Sequence, residues 1–261
     1  MDRVRIRAFA ERERRIYRLI SGNEGLKARE IAGRLGLERE EVNRELYASP
    51  LMRDLCYRDA EYRWHALIRQ QRPHEGLYEF SGWYGTAREF MAAEEDAFLR
   101  ELEEGCRRIG RNLNDQRGLI HSFRDCRKTV RTLFGDLSAM TAGGWEDWEC
   151  VFEFKLKRGR MIRIYADVLI ITRDRVFSLE FKMKNAIDPE EVLQAAKYAP
   201  YLEIVFGPDY DVIPALVLTG AADLFLEEPV GDTDAVIQVC SGDMLFNVFD
   251  AYLGFLDGGK Q

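Results

Sequence analysis

The chain reads as an α/β (α+β) protein, with a small helical module in front, a helical segment behind it, and a mixed-sheet core. Three observations predict this. Three helical patterns and two strand-like pieces fill the first 70 residues. The apolar texture turns from helical to strand-like after Thr141-Ala142-Gly143-Gly144. From there the order is strand, strand, strand, helix, strand, which implies an α/β layer built on a mixed sheet.

Taken in order, residues 11–22 (ERERRIYRLISG) carry helical apolar spacing and end at Gly22. LKAREIAGRLGL (26–37) is a second short helix, with Ile31 and Leu35 four apart and Gly36 near its end. EREEVNRELYAS (38–49) is a third, stopped by Pro50. LCYRDAEYRWHAL (55–67) splits into two strand pieces around Arg58-Asp59-Ala60-Glu61. Three helices and a hairpin are the order of a winged helix-turn-helix, assigned here to residues 1–70. Turn residues crowd QQRPHEGLYEFSGWYGT, so 71–86 reads as a linker. A second domain spans 87–261, and its helical part (87–140) holds helices near 87–112 and 114–138. Strands follow at 146–156 and 161–172 around the turn Lys157-Arg158-Gly159-Arg160, then at 176–183. A helix over 189–205 opens with Pro189, a favoured first-turn residue. Strands at 212–220 and 235–240 and a closing helix from Asp243 complete the reading.

Composition narrows the class. A chain that is 46% hydrophobic and 32% charged predicts an ordered globular protein. No apolar run nears the roughly 18 residues of a membrane helix. The start, MDRVRIRAFAERERR, lacks the apolar segment of a signal peptide. Five cysteines without C-x-x-C spacing point to neither a disulfide frame nor a zinc knuckle. A cytoplasmic location is therefore expected. The net charge of −7 does not advertise nucleic-acid binding, but it is uneven. Residues 1–75 hold 17 Lys+Arg against 13 Asp+Glu, a local +4, which leaves −11 for the rest. That split fits two units with different tasks.

The chemistry centres on three charges in apolar strands. Asp167 is the only carboxylate of its strand, and burying a lone charge demands compensation. On the next strand Glu180 and Lys182 are two apart and share a face. A two-residue hairpin loop sets Asp167 opposite Glu180 or Lys182, whereas a three-residue loop sets it opposite Phe181, facing away unless a bulge intervenes. Two carboxylates on adjacent strands make a hard oxygen site for Mg²⁺ or Mn²⁺. A lysine beside them orients a water or helps deprotonate it, and balances phosphate charge. Each residue also has a plainer role: an Arg partner for Asp167, a solvated strand face for Glu180 and Lys182, ordinary helix positions for Gln194 and Tyr198.

Asp167…Glu180-Phe181-Lys182 resembles the D…(D/E)-x-K motif of the PD-(D/E)XK nuclease superfamily. Gln194 and Tyr198, spaced i, i+4 on the following helix, resemble the Q-x-x-x-Y motif of its RecB-, Cas4- and lambda-exonuclease-like branch. The likeness covers about residues 145–220, with Ala166 where the superfamily name has Pro. It implies a restriction-endonuclease-like core and Mg²⁺/Mn²⁺-dependent hydrolysis of phosphodiester bonds in DNA. Asp167 and Glu180 would bind metal, Lys182 would serve the water, and Gln194 and Tyr198 would support the site. Glu153 is a further metal-ligand candidate, otherwise a surface residue. His121, in a segment similar to the G-x-x-H of RecB-like nucleases, is another, otherwise an ordinary helix histidine. The resemblance also implies a role in prokaryotic DNA repair or in defence against foreign DNA. A non-catalytic winged-helix regulator or adaptor on the same fold is the alternative.

In the front module the third helix is the recognition helix, presenting Arg39, Asn43, Arg44 and Tyr47. Asn43 and Tyr47 with Trp64 also resemble the Asn-x-x-x-Tyr and wing Trp of Z-alpha domains, which bind left-handed duplexes, although that family's wing prolines are missing. These residues otherwise pack the wing on the helix. Duplex DNA, or single-stranded ends, is the expected partner through phosphate contacts. The basic run from Arg107 to Arg131 is either a solvated helix face or a track for a phosphate backbone. No P-loop occurs, so a helicase or ATPase would be a separate partner, and a homodimer would account for paired cuts.

Overall fold

The structure is a computed structural model. It describes residues 12–255 apart from 14, 22, 24, 67–75, 112, 114–115, 157–163, 208 and 234. The expected turn at 157–160 therefore lies outside the described residues. The fold class is α+β, with a seven-stranded mixed sheet and a small two-stranded antiparallel sheet.

The front module follows the expected order with one short helix added before the hairpin. Residues 15–21 are helical (α1), followed by α2 (Ala28–Leu35) and α3 (Arg39–Ala48). Gly36 takes a left-handed backbone (φ 65°) that ends α2. Pro50 does more than stop α3. With Ser49 as N-cap, its hydroxyl accepting from the Met52 N–H at 3.3 Å, it opens a short further helix, α4 (Pro50–Leu55). Strands β1 (Cys56–Arg58) and β2 (Trp64–Ala66) pair antiparallel, and Leu26 bridges to Trp64 to widen this wing.

Of the segment read as a linker, the described residues 76–86 are largely built into the core. Leu77 is buried, Tyr78–Phe80 form a 3-10 turn, and β3 (Trp83–Thr86) is an edge strand of the large sheet. The helical reading near 87–112 divides into α5 (Ala87–Ala92) and α6 (Glu95–Ile109), and α7 runs from Gln116 to Met140. Strands β4 (Glu149–Lys155), β5 (Tyr165–Ile171) and β6 (Arg175–Lys182) form an antiparallel meander. The helix expected over 189–205 is two, α8 (Pro189–Lys197) and α9 (Ala199–Phe206). Pro200 has no N–H to continue the ladder and breaks the run beside Tyr198. Then come β7 (Asp211–Leu218), β8 (Phe225–Pro229), β9 (Val236–Ser241) and α10 (Leu245–Leu253). The sheet order is β3-β4-β5-β6-β7-β9-β8, with β6–β7 and β7–β9 parallel. β8 escapes sequence reading because FLEEP is charged and ends in proline, a composition an exposed edge strand tolerates.

Both faces of the sheet are covered. Phe90, Phe98, Phe134 and Phe249 from α5, α6, α7 and α10 pack on Phe152, Val168, Phe177 and Leu179. The other face shares one apolar cluster with the front module: Ile16, Ile31, Leu46 and Met52 join Val151, Phe154, Leu169, Val176 and Leu202. The two units expected from charge are thus joined through a common core. α6 packs very close to the segment leading into β3. A Cβ at Gly105 would lie 1.8 Å from the Gly82 carbonyl oxygen, so only glycine fits there.

Candidate active site

The hairpin between β5 and β6 has a two-residue loop. Ile171 pairs with Val176, and Thr172 N–H donates to the Arg175 carbonyl, which leaves Arg173 and Asp174 to turn the chain. This is the register the motif needs. With Val168 opposite Leu179, Asp167 falls opposite Glu180. One strand further, Phe152 opposes Val168 and Phe154 opposes Ala166, so Glu153 lies across from Asp167. The three carboxylates form a row over β4, β5 and β6.

The backbone is distorted at this row. Residues two apart in a regular strand share a face. Yet Phe152 and Val168 belong to one core, while Phe154 and Ala166 belong to the other. The pleat slips at Glu153 and Asp167, and Glu153 carries the slip with φ 56°, a left-handed conformation costly to a non-glycine residue. Gly82 N–H donates to both the Phe152 and Glu153 carbonyls there, as at a bulge. A strained backbone beside buried acids is a mark of a functional site.

Each acid has its own partner. Asp167 accepts from the Phe181 N–H through Oδ2 at 2.9 Å. Glu180 Oε1 accepts from Lys182 Nζ at 2.8 Å and from Gln194 Nε2 at 2.7 Å. Gln194 Nε2 also donates to the Tyr198 hydroxyl at 3.0 Å, so the i, i+4 pair of α8 stands directly behind the acid. Glu153 pairs with Arg111, Nε to Oε2 at 2.9 Å, and the Arg111 guanidinium lies 4.5 Å over the Tyr165 ring. Arg111 is the residue that sequence reasoning missed. It sits in a basic run where nothing distinguishes it from its neighbours.

Burial governs the protonation of the row. Burial first, then the charge of Asp167, lifts Glu153 to about 8 against the opposing pull of Arg111. The same two causes lift Glu180 to about 8, opposed by Lys182. Asp167 is also raised by burial, with the Phe181 N–H and Lys182 working the other way. Burial opposes the charge on Lys182, yet Glu180 and Asp167 hold its ammonium above the usual lysine range. Lys182 is therefore a cation as it stands, suited to orienting a water or a phosphate rather than to taking a proton. Tyr198 is pushed up by burial and then by Glu180.

The donor set fits a hard divalent cation. All three acids offer oxygen, and the buried Oε2 of Glu180 has no hydrogen-bond partner. Among the described residues, no three His, Cys, Asp or Glu side chains are grouped so that together they could hold a metal ion as they stand. Two of the acids instead carry counter-charges, Arg111 on Glu153 and Lys182 on Glu180.

The remaining candidates divide. Glu153, weighed as a surface residue, is buried in the row. His121 is exposed on α7 and lines a separate groove with Arg124 and Met183, so it is not brought to the acids. In the front module Arg39, Asn43, Tyr47 and Trp64 line one groove with Lys27 and Arg58. Trp64 is largely buried and meets Tyr47 edge-on at 5.2 Å, while the Arg58 guanidinium lies over the Tyr47 and Tyr62 rings. Arg44 does not line this groove and approaches Glu41 at 4.0 Å. Comparison of the chain with protein-family models, characterised proteins and solved structures found no match. Among the described residues, no helix is long and apolar enough to cross a membrane.

Proposed function

We propose that the chain is a Mg²⁺- or Mn²⁺-dependent nuclease acting on DNA, with the front module gripping the substrate. The observation that carries this reading is the row of buried Glu153 and Glu180 with half-buried Asp167 between them, Lys182 at its end and Gln194 and Tyr198 behind it. These three acids would hold the metal, which when bound lowers the pKa of a coordinated water and stabilises charge on a phosphoryl oxygen. Lys182 holds a positive charge where the phosphate charge grows. Gln194 fixes the Glu180 carboxylate, and Tyr198 fixes Gln194, so the acid is oriented before substrate arrives. The groove of Arg39, Asn43, Tyr47 and Arg58 joins cations to aromatic faces, a combination suited to backbone and base contacts.

The test is cleavage of plasmid and single-stranded DNA by the pure protein with Mg²⁺, Mn²⁺ or EDTA. The reading expects metal-dependent cuts that fall at least about 100-fold in Lys182→Ala, the size of a lost charge-stabilising donor. Cleavage unaffected by that substitution would show the active site to be elsewhere. Binding with no cleavage of any nucleic acid would favour the non-catalytic adaptor.

A further inference from the structure

The basic run of α7 is not a uniformly solvated face. His121, Arg124, Arg127, Lys128 and Arg131 line a groove that reaches Met183, the exposed residue directly after Lys182. Four cations stand there against two acids, Glu95 and Asp125. Two of the arginines are anchored by backbone. Arg127, itself buried, donates to the Ala93 carbonyl at 2.6 Å, and Arg131 donates to the Met91 carbonyl at 2.8 Å. Carbonyl dipoles orient a guanidinium without cancelling its charge as a carboxylate would. Glu95 serves both Arg124, at 3.2 Å, and Arg127, at 3.6 Å. Lys128 has no acidic partner within ion-pair distance among the described residues. Like charges are therefore held side by side at a cost that a bound anion would relieve.

We propose that this groove is a second nucleic-acid subsite, which binds the phosphate backbone of a single strand leading to or from the carboxylate row. The proposal rests on the nuclease reading for its direction, because the groove begins one residue beyond Lys182. Positions 124, 128 and 131 recur on one helix face. At a rise of about 1.5 Å per residue they span roughly 10 Å. Successive phosphates of one strand are about 3.4 Å apart along a duplex axis and further apart along the strand itself, so the span takes in about two to three of them. An acidic protein surface is less well served, since protein interfaces rely on buried aromatic or apolar anchors and Met183 is the one apolar side chain lining the groove.

The experiment reads binding without cleavage. Anisotropy of a fluorescein-labelled 12-nucleotide single strand is followed in EDTA from 50 to 300 mM NaCl. The full chain carries Arg39→Ala and Arg58→Ala throughout, to silence the front groove. Adding Arg124→Ala, Lys128→Ala and Arg131→Ala should weaken binding at least tenfold and flatten the log–log salt slope by about 2, at about 0.7 per lost single-strand contact. Arg124→Lys with Arg131→Lys should keep the slope. If losing the Arg131 anchor lowers the melting temperature, the pair Arg124→Ala and Lys128→Ala, both at exposed positions, should still flatten it by about 1.4. Unchanged affinity and slope would overturn the subsite. So would displacement of the strand by polyglutamate as effective as that by unlabelled oligonucleotide. Because the readout is taken in EDTA, it stands even if no cleavage is ever found. Cleavage by the wild type with normal binding by the triple variant would sink the groove alone.

Discussion

Forty-two positions separate Arg111 from Glu153, yet their charges meet at 2.9 Å on a strand where the backbone is left-handed. Removing one partner of a buried pair leaves an uncompensated charge. Arg111→Met should therefore lower stability by about 3 kcal/mol in urea unfolding at pH 8. The loss should shrink sharply when Glu153→Gln is added, and equal losses in both backgrounds would show that the pair is not the cause. Tyr198→Phe is milder: it removes the hydroxyl that accepts from Gln194 and should cost about 1 kcal/mol with a small fall in cleavage rate. The legible residues are those whose chemistry conflicts with their setting. Asp167 and Glu180 stand out as acids in apolar strands, and Gln194 and Tyr198 by spacing on a helix. Glu153 was half legible, because its strand was clear and its burial was not. Arg111 was not legible at all, since a long-range contact leaves no local pattern.

At the scale of elements, periodicity locates the front helices and the strands of the meander, all of which rest on local pattern, but leaves the hairpin register open between a two- and a three-residue loop, which the Thr172–Arg175 pairing decides. It failed where tertiary packing decides. WYGT at 83–86 looks like a turn and is a strand because β4 pairs with it. β8 is a strand because β9 offers it an edge. The break at Tyr198 follows from Pro200, a local signal that the helical spacing on either side masks. The close approach of α6 to the segment before β3 gives a sharp prediction. Gly105→Ala drives a methyl into the Gly82 carbonyl and should cost at least about 2 kcal/mol, measured by chemical denaturation. Gly33→Ala, with open space around the added carbon, should be neutral or slightly stabilising.

For the whole molecule, the carboxylate row links stability to pH and, on the nuclease reading, to divalent ions. Glu153 and Glu180 move from 4.5 to about 8 on folding. Between those values the folded chain keeps protons that the unfolded chain has released, so their contribution is present below about 4.5 and is lost as pH rises toward 8. Without metal, the melting temperature should fall from pH 5 to pH 8, and Glu153→Gln with Glu180→Gln should flatten that fall. Mg²⁺ or Mn²⁺ should stabilise more at pH 8 than at pH 6 and should release protons in calorimetry, because ligation needs ionised carboxylates. A pH-independent gain would argue against ligation by these acids.

The apolar cluster that Ile16, Leu46 and Met52 share with Val151, Phe154 and Val176 has a geometric consequence. Two units that share one core cannot swivel on a tether. If both halves act on one DNA, scission should fall at a constant offset, counted in nucleotides, from the protected footprint. Lopping off the front unit should leave a sticky, insoluble stump rather than an unleashed cutter.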